Sequence, residues 1–252
     1  MEHAWFLLSG MVGRMLRGAR YSHTSLSRDD DQPHVRKHRR VYAPLLVALG
    51  EPLMKLLDTG VRVLPQRAWE DRERRLYGEL YGAAVGVDGG VLTLPMLGGE
   101  TLAAVLEDAA LAAAAKREAI RLAVVALVAF HQAGHTHGDA MAANVLVDLD
   151  AGVARWFDFE TVHDARRSMT WRRADDVRAL LATCLLRTPP ADFSATLHVI
   201  LDGYADRDVE RLLATCFSPG YRRPLAFHLG QAPLSFEQYR AIDRELRARA
   251  GA

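Results

Sequence analysis

The chain has 252 residues, half of them hydrophobic, and 32 lysines and arginines against 31 aspartates and glutamates give it a formal charge of +1. Such a chain can bury a good core as one large domain or two small lobes, and the balanced charge leaves no global field to draw in nucleic acid. No run approaches the roughly 18 apolar residues of a membrane span. The N-terminus lacks the charged start and cleavage site of a signal peptide. Cys184 and Cys216 sit at apolar positions of helical patterns without metal-type spacing, as buried reduced thiols of a cytosolic protein do.

In chain order, Trp5, Leu8, Val12, Met15 and Leu16 recur at helical spacing with Arg14, Arg17 and Arg20 between them, the pattern of a helix lying on a membrane surface. Gly10, Gly13 and Gly18 oppose a firm helix there. Residues 22–40 lose their apolar content and run from Asp29-Asp30-Asp31 to Arg36-Lys37-His38-Arg39-Arg40, which predicts a solvated loop with a basic end. From Pro44 a helical pattern places Leu45, Leu46, Leu49, Leu53, Leu56 and Leu57 on one face, broken or kinked at Pro52. A short strand over Val61–Leu64 precedes a helix from about Ala68 to Tyr81. Asp88-Gly89-Gly90 is a hairpin signal, and Val91–Leu97 reads as a strand. Two helices follow over 101–134. The longer, from about Ala112 to Gln132, buries Ile120, Val124, Leu127 and Val128 and stops at Gly134, with His131 as a satisfied core histidine.

Residues 135–160, HTHGDAMAANVLVDLDAGVARWFDFE, carry the chemistry. Val145–Val147 and Val153–Phe157 are short apolar runs joined by the turn residues Asp148–Gly152. A hairpin there sets Asn144 at the start of one strand and Asp158 at the end of the next, so that a carboxylate and an amide oxygen converge. That donor set suits Mg²⁺ carrying substrate phosphates. Asp139, on the loop just before, is left to accept a proton from an attacking hydroxyl. These are the parts that phosphoryl transfer needs. Beyond Glu160, His163 reads as a surface histidine, and a helix from about Asp175 to Leu186 has Asp175 or Asp176 as its N-cap. Asp208-Val209 with Leu212–Cys216 nearly copies Asp176-Val177 with Leu180–Cys184, but two copies make no repeat array. A last helix opens on the capping box Ser235-Phe236-Glu237-Gln238.

His137-Gly138-Asp139 with Asn144 resembles the H-G-D-x-x-x-x-N loop of protein-kinase-like enzymes that modify small molecules or glycolipids. Asp158-Phe159 resembles the opening of their D-F-G motif, with Glu160 in place of the glycine. The resemblance implies an α+β, bilobal kinase-like fold: an N-terminal segment and polar basic loop over 1–40, a reduced, atypical N-terminal lobe over 41–97, and a mainly helical catalytic lobe over 98–252. It implies ATP as cosubstrate, Asp139 as catalytic residue, Asn144 and Asp158 on Mg²⁺, and a hinge at Met96-Leu97. It also implies a glutamate on the helix from Ala68, best matched by Glu73, paired with a nucleotide-contacting lysine, and a buried aspartate, Asp176, bracing the catalytic loop. Glu73 reads equally as a solvated charge on an arginine-rich helix.

Only Lys37, Lys55 and Lys116 are present, and Lys116 follows the hinge. Lys55 looks like the family's strand lysine, although its stretch also fits a helix with Glu51 and Lys55 paired at i, i+4. Lys37 has flanks too polar for a buried strand, a situation similar to that in lipopolysaccharide-core sugar kinases. Arg62 is a third, poorer candidate.

Only residues 161–174 separate the metal motif from Asp176, and no A-P-E follows. The resemblance therefore implies a small-molecule or glycolipid acceptor, with a protein serine/threonine kinase as the alternative. The enzyme is expected in the cytosol, with Arg36–Arg40 and the N-terminus as contacts for an anionic inner membrane face. Ser9–Gly13 only faintly echoes a glycine-rich loop, which favours a second alternative, a non-catalytic pseudokinase binding module. A third class comes from His135-x-His137-x-Asp139, the opening of the zinc signature of metallo-β-lactamase-like hydrolases, with Ala140 in place of its last histidine.

Overall fold

The computed structural model describes residues 22–29, 32–41, 60–216 and 234–250. The helical pattern from Pro44 to Leu57, Lys55 within it, and the arginine-dotted first twenty residues lie outside the described residues.

Residues 22–29 and 32–39 are not a loop. They form strands β1 (Ser22–Asp29) and β2 (Gln32–Arg39), paired antiparallel from Ser22↔Arg39 to Asp29↔Gln32. The reason lies elsewhere in the chain. β2 also pairs with a later strand, Val91–Pro95, in a register that sets Val35 beside Leu94 and Lys37 beside Leu92. Leu92 and Leu94 are buried, so the partner strand supplies the apolar half of a face that β2 lacks by itself. Period-two alternation then buries Lys37 and exposes Arg36 and His38.

Strand β3 (Val61–Val63) leads into helix α1 (Gln66–Tyr81). α1 buries Trp69, Glu73, Leu76 and Tyr77, one stripe at i, i+4, i+7 and i+8, and ends at Gly82 in the left-handed conformation. β4 (Gly86–Asp88) and β5 (Val91–Pro95) form the expected hairpin. They complete a four-stranded sheet in the order β1-β2-β5-β4.

Residues 96–99 then cross to a helical lobe. Gly99 (φ +101°) lies so near the backbone at Val147 that a Cβ would stand 2.6 Å from the Val147 carbonyl oxygen, which only glycine tolerates. β6 (Glu100–Thr101) pairs with β7 (Val145–Asp148), and β7 with β8 (Val153–Trp156). Between them come α2 (Leu102–Glu107), capped by the Thr101 side chain on the Ala104 N–H, and α3 (Ala113–Gln132). α3 is the lobe's axis. It buries Ile120, Val124, Leu127 and Phe130 and packs on β8 and on α5 (Phe193–Tyr204).

β9 (Thr161–His163) precedes α4 (Met169–Leu185). α4 starts earlier than the sequence implied. Ser168 caps it by accepting the Trp171 N–H at 3.2 Å, so Asp175 and Asp176 are buried inside the helix rather than capping it. α6 (Arg207–Cys216) packs against α4 and against α7 (Phe236–Ala250). α7 opens on the expected box: the Gln238 N–H donates to Ser235 Oγ at 3.2 Å and the Ser235 N–H to Gln238 Oε1 at 2.8 Å. Asp208 on α6, unlike its counterpart Asp176, is exposed and pairs with Arg211.

A second junction ties the lobes. β3 and β9 pair antiparallel, Val61 with His163 and Val63 with Thr161. The Leu64 N–H to Glu160 O bond (2.9 Å) and the Asp164 N–H to Gly60 O bond (2.8 Å) extend the ladder. The architecture is α+β, a small sheet with one helix joined to a helical lobe, as the sequence implied. Among the described residues no helix is long and apolar enough to cross a membrane.

Candidate active site

The loop after α3 is held by one buried carboxylate. Asp176 Oδ2 accepts the His137 N–H at 2.7 Å and His131 Nε2–H at 3.0 Å, while Oδ1 accepts the Gly138 N–H at 2.8 Å. Burial alone would push this carboxyl up, yet His163, His131 and His137 around it outweigh burial and hold it well below the usual carboxylate range. His131 is the satisfied core histidine expected, its Nδ1 accepting from the Tyr204 hydroxyl at 2.7 Å. Gly138 (φ +84°) runs against β9, where a Cβ would lie 3.1 Å from the Val162 backbone. Its left-handed backbone and this contact both call for glycine between His137 and Asp139.

His163 is buried, contrary to the surface position expected, because β9 runs between the lobes. Its Nδ1 meets Thr136 Oγ1 at 2.9 Å and its Nε2 meets Asp175 Oδ2 at 3.2 Å, while Arg178 Nη2 closes on Asp175 Oδ1 at 2.9 Å. Arg72 Nη2 on α1 donates to the Thr136 carbonyl at 2.8 Å. The loop is thus gripped from both lobes.

The zinc-hydrolase reading fails on the histidines. His137 Nε2–H donates to the Phe157 carbonyl at 3.0 Å and Nδ1 accepts the Asp139 N–H at 3.3 Å, so neither nitrogen is available to a metal. Burial lowers this imidazole to about 4 and keeps it neutral. His135 turns to Glu79, 3.1 Å away. Among the described residues no three His, Cys, Asp or Glu side chains form a metal-holding group.

Asp139 and Asn144 do come together. Asn144 Nδ2 donates to the Asp139 carbonyl at 2.8 Å and to its Oδ2 at 2.9 Å, which leaves Asn144 Oδ1 for another partner. The β7–β8 register of Val145↔Trp156, with the Phe157 N–H to Asn144 O bond of 3.0 Å, sets Asp158 beside this pair. Asp158 holds a left-handed backbone (φ 68°), a strain of about 1–3 kcal/mol for a residue with a Cβ. The next residue anchors it: Phe159 is fully buried, with ring centroids 5.7 Å from Phe130, 6.2 Å from Tyr77 and 5.2 Å from His137.

Lys37 reaches this point from β2. It is 5% exposed, and its Nζ donates to Glu73 Oε1 at 3.2 Å and to Asp158 Oδ1, with Glu160 Oε2 at 3.9 Å. Burial would lower the ammonium, but Asp158, Glu73 and Glu160 outweigh it and raise the group above the ordinary lysine range, so it stays charged. Glu73 is no solvated helix charge. It is wholly buried, and its Oε1 also accepts the Phe159 N–H at 3.2 Å and Trp69 Nε1–H at 3.1 Å. The structure therefore joins Glu73 to Lys37. Lys55 lies outside the described residues, and Arg62 is exposed on β3. Sequence reasoning passed over Trp69, although it stands one helical turn before Glu73, where i, i+4 spacing puts both on one face.

Negative charge is in excess here. Asp139 is pushed up to about 7 by burial and then by Asp158 and Glu160. Glu160 is raised to about 7 by burial and by Asp158, with Lys37 and Arg39 opposing. One ammonium faces Glu73, Asp158 and Glu160. A hard divalent cation on Asp158 and Asn144 Oδ1 would relieve that excess, so the residues present fit Mg²⁺.

No family model matches the chain, and no curated protein matches it. Among solved structures it is similar to the crystal structure of Rad53 1-466 in complex with AMP-PNP, at 12% identity and a TM-score of 0.41, over 86% of this chain and 62% of that one. The chain thus spans less than two thirds of that relative's length.

Proposed function

We propose that the chain is an ATP- and Mg²⁺-dependent phosphotransferase that moves the γ-phosphoryl group to a hydroxyl of a small molecule or glycoconjugate. The observation that carries this reading is the meeting of Lys37, Glu73 and Asp158, brought from β2, α1 and the segment after β8 to one point beside Asp139 and Asn144. Lys37, oriented by Glu73, would bind nucleotide phosphate. Asp139 would orient the acceptor hydroxyl and take its proton on Oδ1, the oxygen Asn144 does not engage. Mg²⁺, when bound by Asp158 and Asn144, supplies charge neutralisation on the phosphates.

The acceptor class follows from the chain after Glu160. It enters β9 at once and then α4 at Met169, so little chain is left to form a platform for an extended peptide. A cytosolic setting, where ATP is held, goes with this reading. The exposed Arg36 and His38 of β2 are its contact for anionic headgroups.

The test is a thermal shift with ATP, with and without Mg²⁺, followed by labelled ATP against a polar-lipid and metabolite extract beside a peptide library. Mg²⁺-dependent stabilisation and Asp139-dependent labelling of extract components are expected. Labelling of peptides alone would point to the protein-kinase alternative, and nucleotide binding without any transfer to the pseudokinase.

A further inference from the structure

Trp69 is fully buried on α1, and it contributes more than volume. Its Nε1–H donates to Glu73 Oε1 at 3.1 Å, the same oxygen that takes Lys37 Nζ and the Phe159 N–H, each at 3.2 Å. Its ring carries two cations, with Lys37 Nζ 5.1 Å and Arg39 Cζ 5.0 Å from the centroid. The root of the side chain is fixed as well, since the Trp69 N–H bonds the Pro65 carbonyl at 2.9 Å in the first turn of α1.

All three donors bear on Oε1 of Glu73, and Oε2 has no hydrogen-bond partner among the described residues. The carboxylate's rotamer therefore depends on those three contacts. Two of them, Lys37 and Phe159, belong to segments that nucleotide binding would engage. Trp69 alone comes from the same helix as Glu73, so it holds the carboxylate whatever the other two do. A buried ammonium also gains from an aromatic face more than an exposed one does.

We propose that Trp69 is a positioning residue for the lysine that binds nucleotide phosphate, fixing Glu73 through its indole N–H and backing Lys37 with its ring. This rests on the phosphotransferase reading, in which Lys37 contacts phosphate.

The test is a double-mutant cycle on the full chain, read as the KM for MgATP and as kcat. Trp69→Phe keeps an aromatic ring but loses the donor, and its KM for MgATP should rise about tenfold, the scale of one hydrogen bond to a charged group. Its kcat should fall by less than the KM rises. In a Glu73→Gln background the same substitution should change KM less than about twofold, because its partner is already altered. Equal losses in the two backgrounds, or no loss in either, would overturn the assignment. A second measurement needs neither nucleotide nor a Trp69 variant: the indole N–H resonance of Trp69 should move on Glu73→Gln and on Lys37→Met. A resonance unmoved by both would sink the inference. Wild type that binds no MgATP while this resonance moves would instead remove the phosphotransferase reading.

Discussion

Two carboxylates, one buried and one half-buried, serve the same loop and are treated in opposite ways. Asp176 is surrounded by donors, two backbone N–H groups and His131, and its carboxyl is held down. Asp139 has one amide on Oδ2 and three other acids nearby, and its carboxyl is pushed up to about 7 by burial and by Asp158, Glu160 and Asp175. The first is an ion fully compensated by fixed dipoles, which makes it rigid and inert. The second is under-compensated, which leaves it ready to exchange a proton and to welcome a cation. The brace is satisfied, while the carboxylate proposed to react is not.

The sharpest way to break that contrast is to remove the brace. Asp176→Ala leaves three donors without an acceptor in the core, and unfolding by urea should show a loss of about 3–5 kcal/mol. Phosphoryl transfer should disappear with it. Next comes the proposed base: Asp139→Asn keeps the shape and loses the carboxylate, so kcat should fall by about 10²-fold or more while nucleotide affinity hardly changes. A fully active variant would make Asp139 structural. Lys37→Met should raise the KM for MgATP about tenfold or more, as loss of a charge-assisted contact does. Lys55→Met measured beside it settles which lysine matters.

Titration separates the two carboxylates further. With its folded pKa below the unfolded one, Asp176 contributes stability above about pH 4 that is lost as acid protonates it. His137, lowered to about 4 from 6.5, adds to acid loss below pH 6.5, because only the unfolded chain takes up that proton. Asp139 runs the other way: raised to about 7 from 3.8, it costs stability at neutral pH and recovers it as pH falls from 7 towards 4. Urea midpoints at pH 7 and pH 5 should therefore fall more steeply with acid in Asp139→Asn than in wild type. A shallower fall would reverse the assignment. The smallest effect belongs to the near copy on α6. Asp208 is exposed beside Arg211, and Asp208→Ala should change stability by less than about 0.5 kcal/mol, measured by the same unfolding.

The α6 copy also shows what a sequence carries and what it does not. Asp176-Val177 and Asp208-Val209 look alike, and only the packing of α4 under the loop makes one of them a brace. The loop residues themselves were legible, because His137 to Asp158 lie close in sequence with apolar runs that fix a hairpin. Glu73 was legible in rhythm though not in burial. β2 was not, since its apolar neighbours Leu92 and Leu94 come from β5. The early start of α4 was masked by the paired aspartates, which look like caps and turn out to be core. β3 was read as a short strand, but its three-residue partner β9 leaves no pattern long enough to read, and with it went the burial of His163.

The β3–β9 ladder bears on the order in which this molecule assembles. Its strands, Val61–Val63 and Thr161–His163, are separated by residues 64–160, and the helices and the β7–β8 hairpin between them are local structures that close quickly. Pairing over so long a loop must wait until those parts exist. The same event brings the Asp158 segment to α1 and so to Lys37. The site is therefore among the last features to form and among the first to open. Activity should vanish earlier along a denaturant ramp than the far-ultraviolet signal of the helices does.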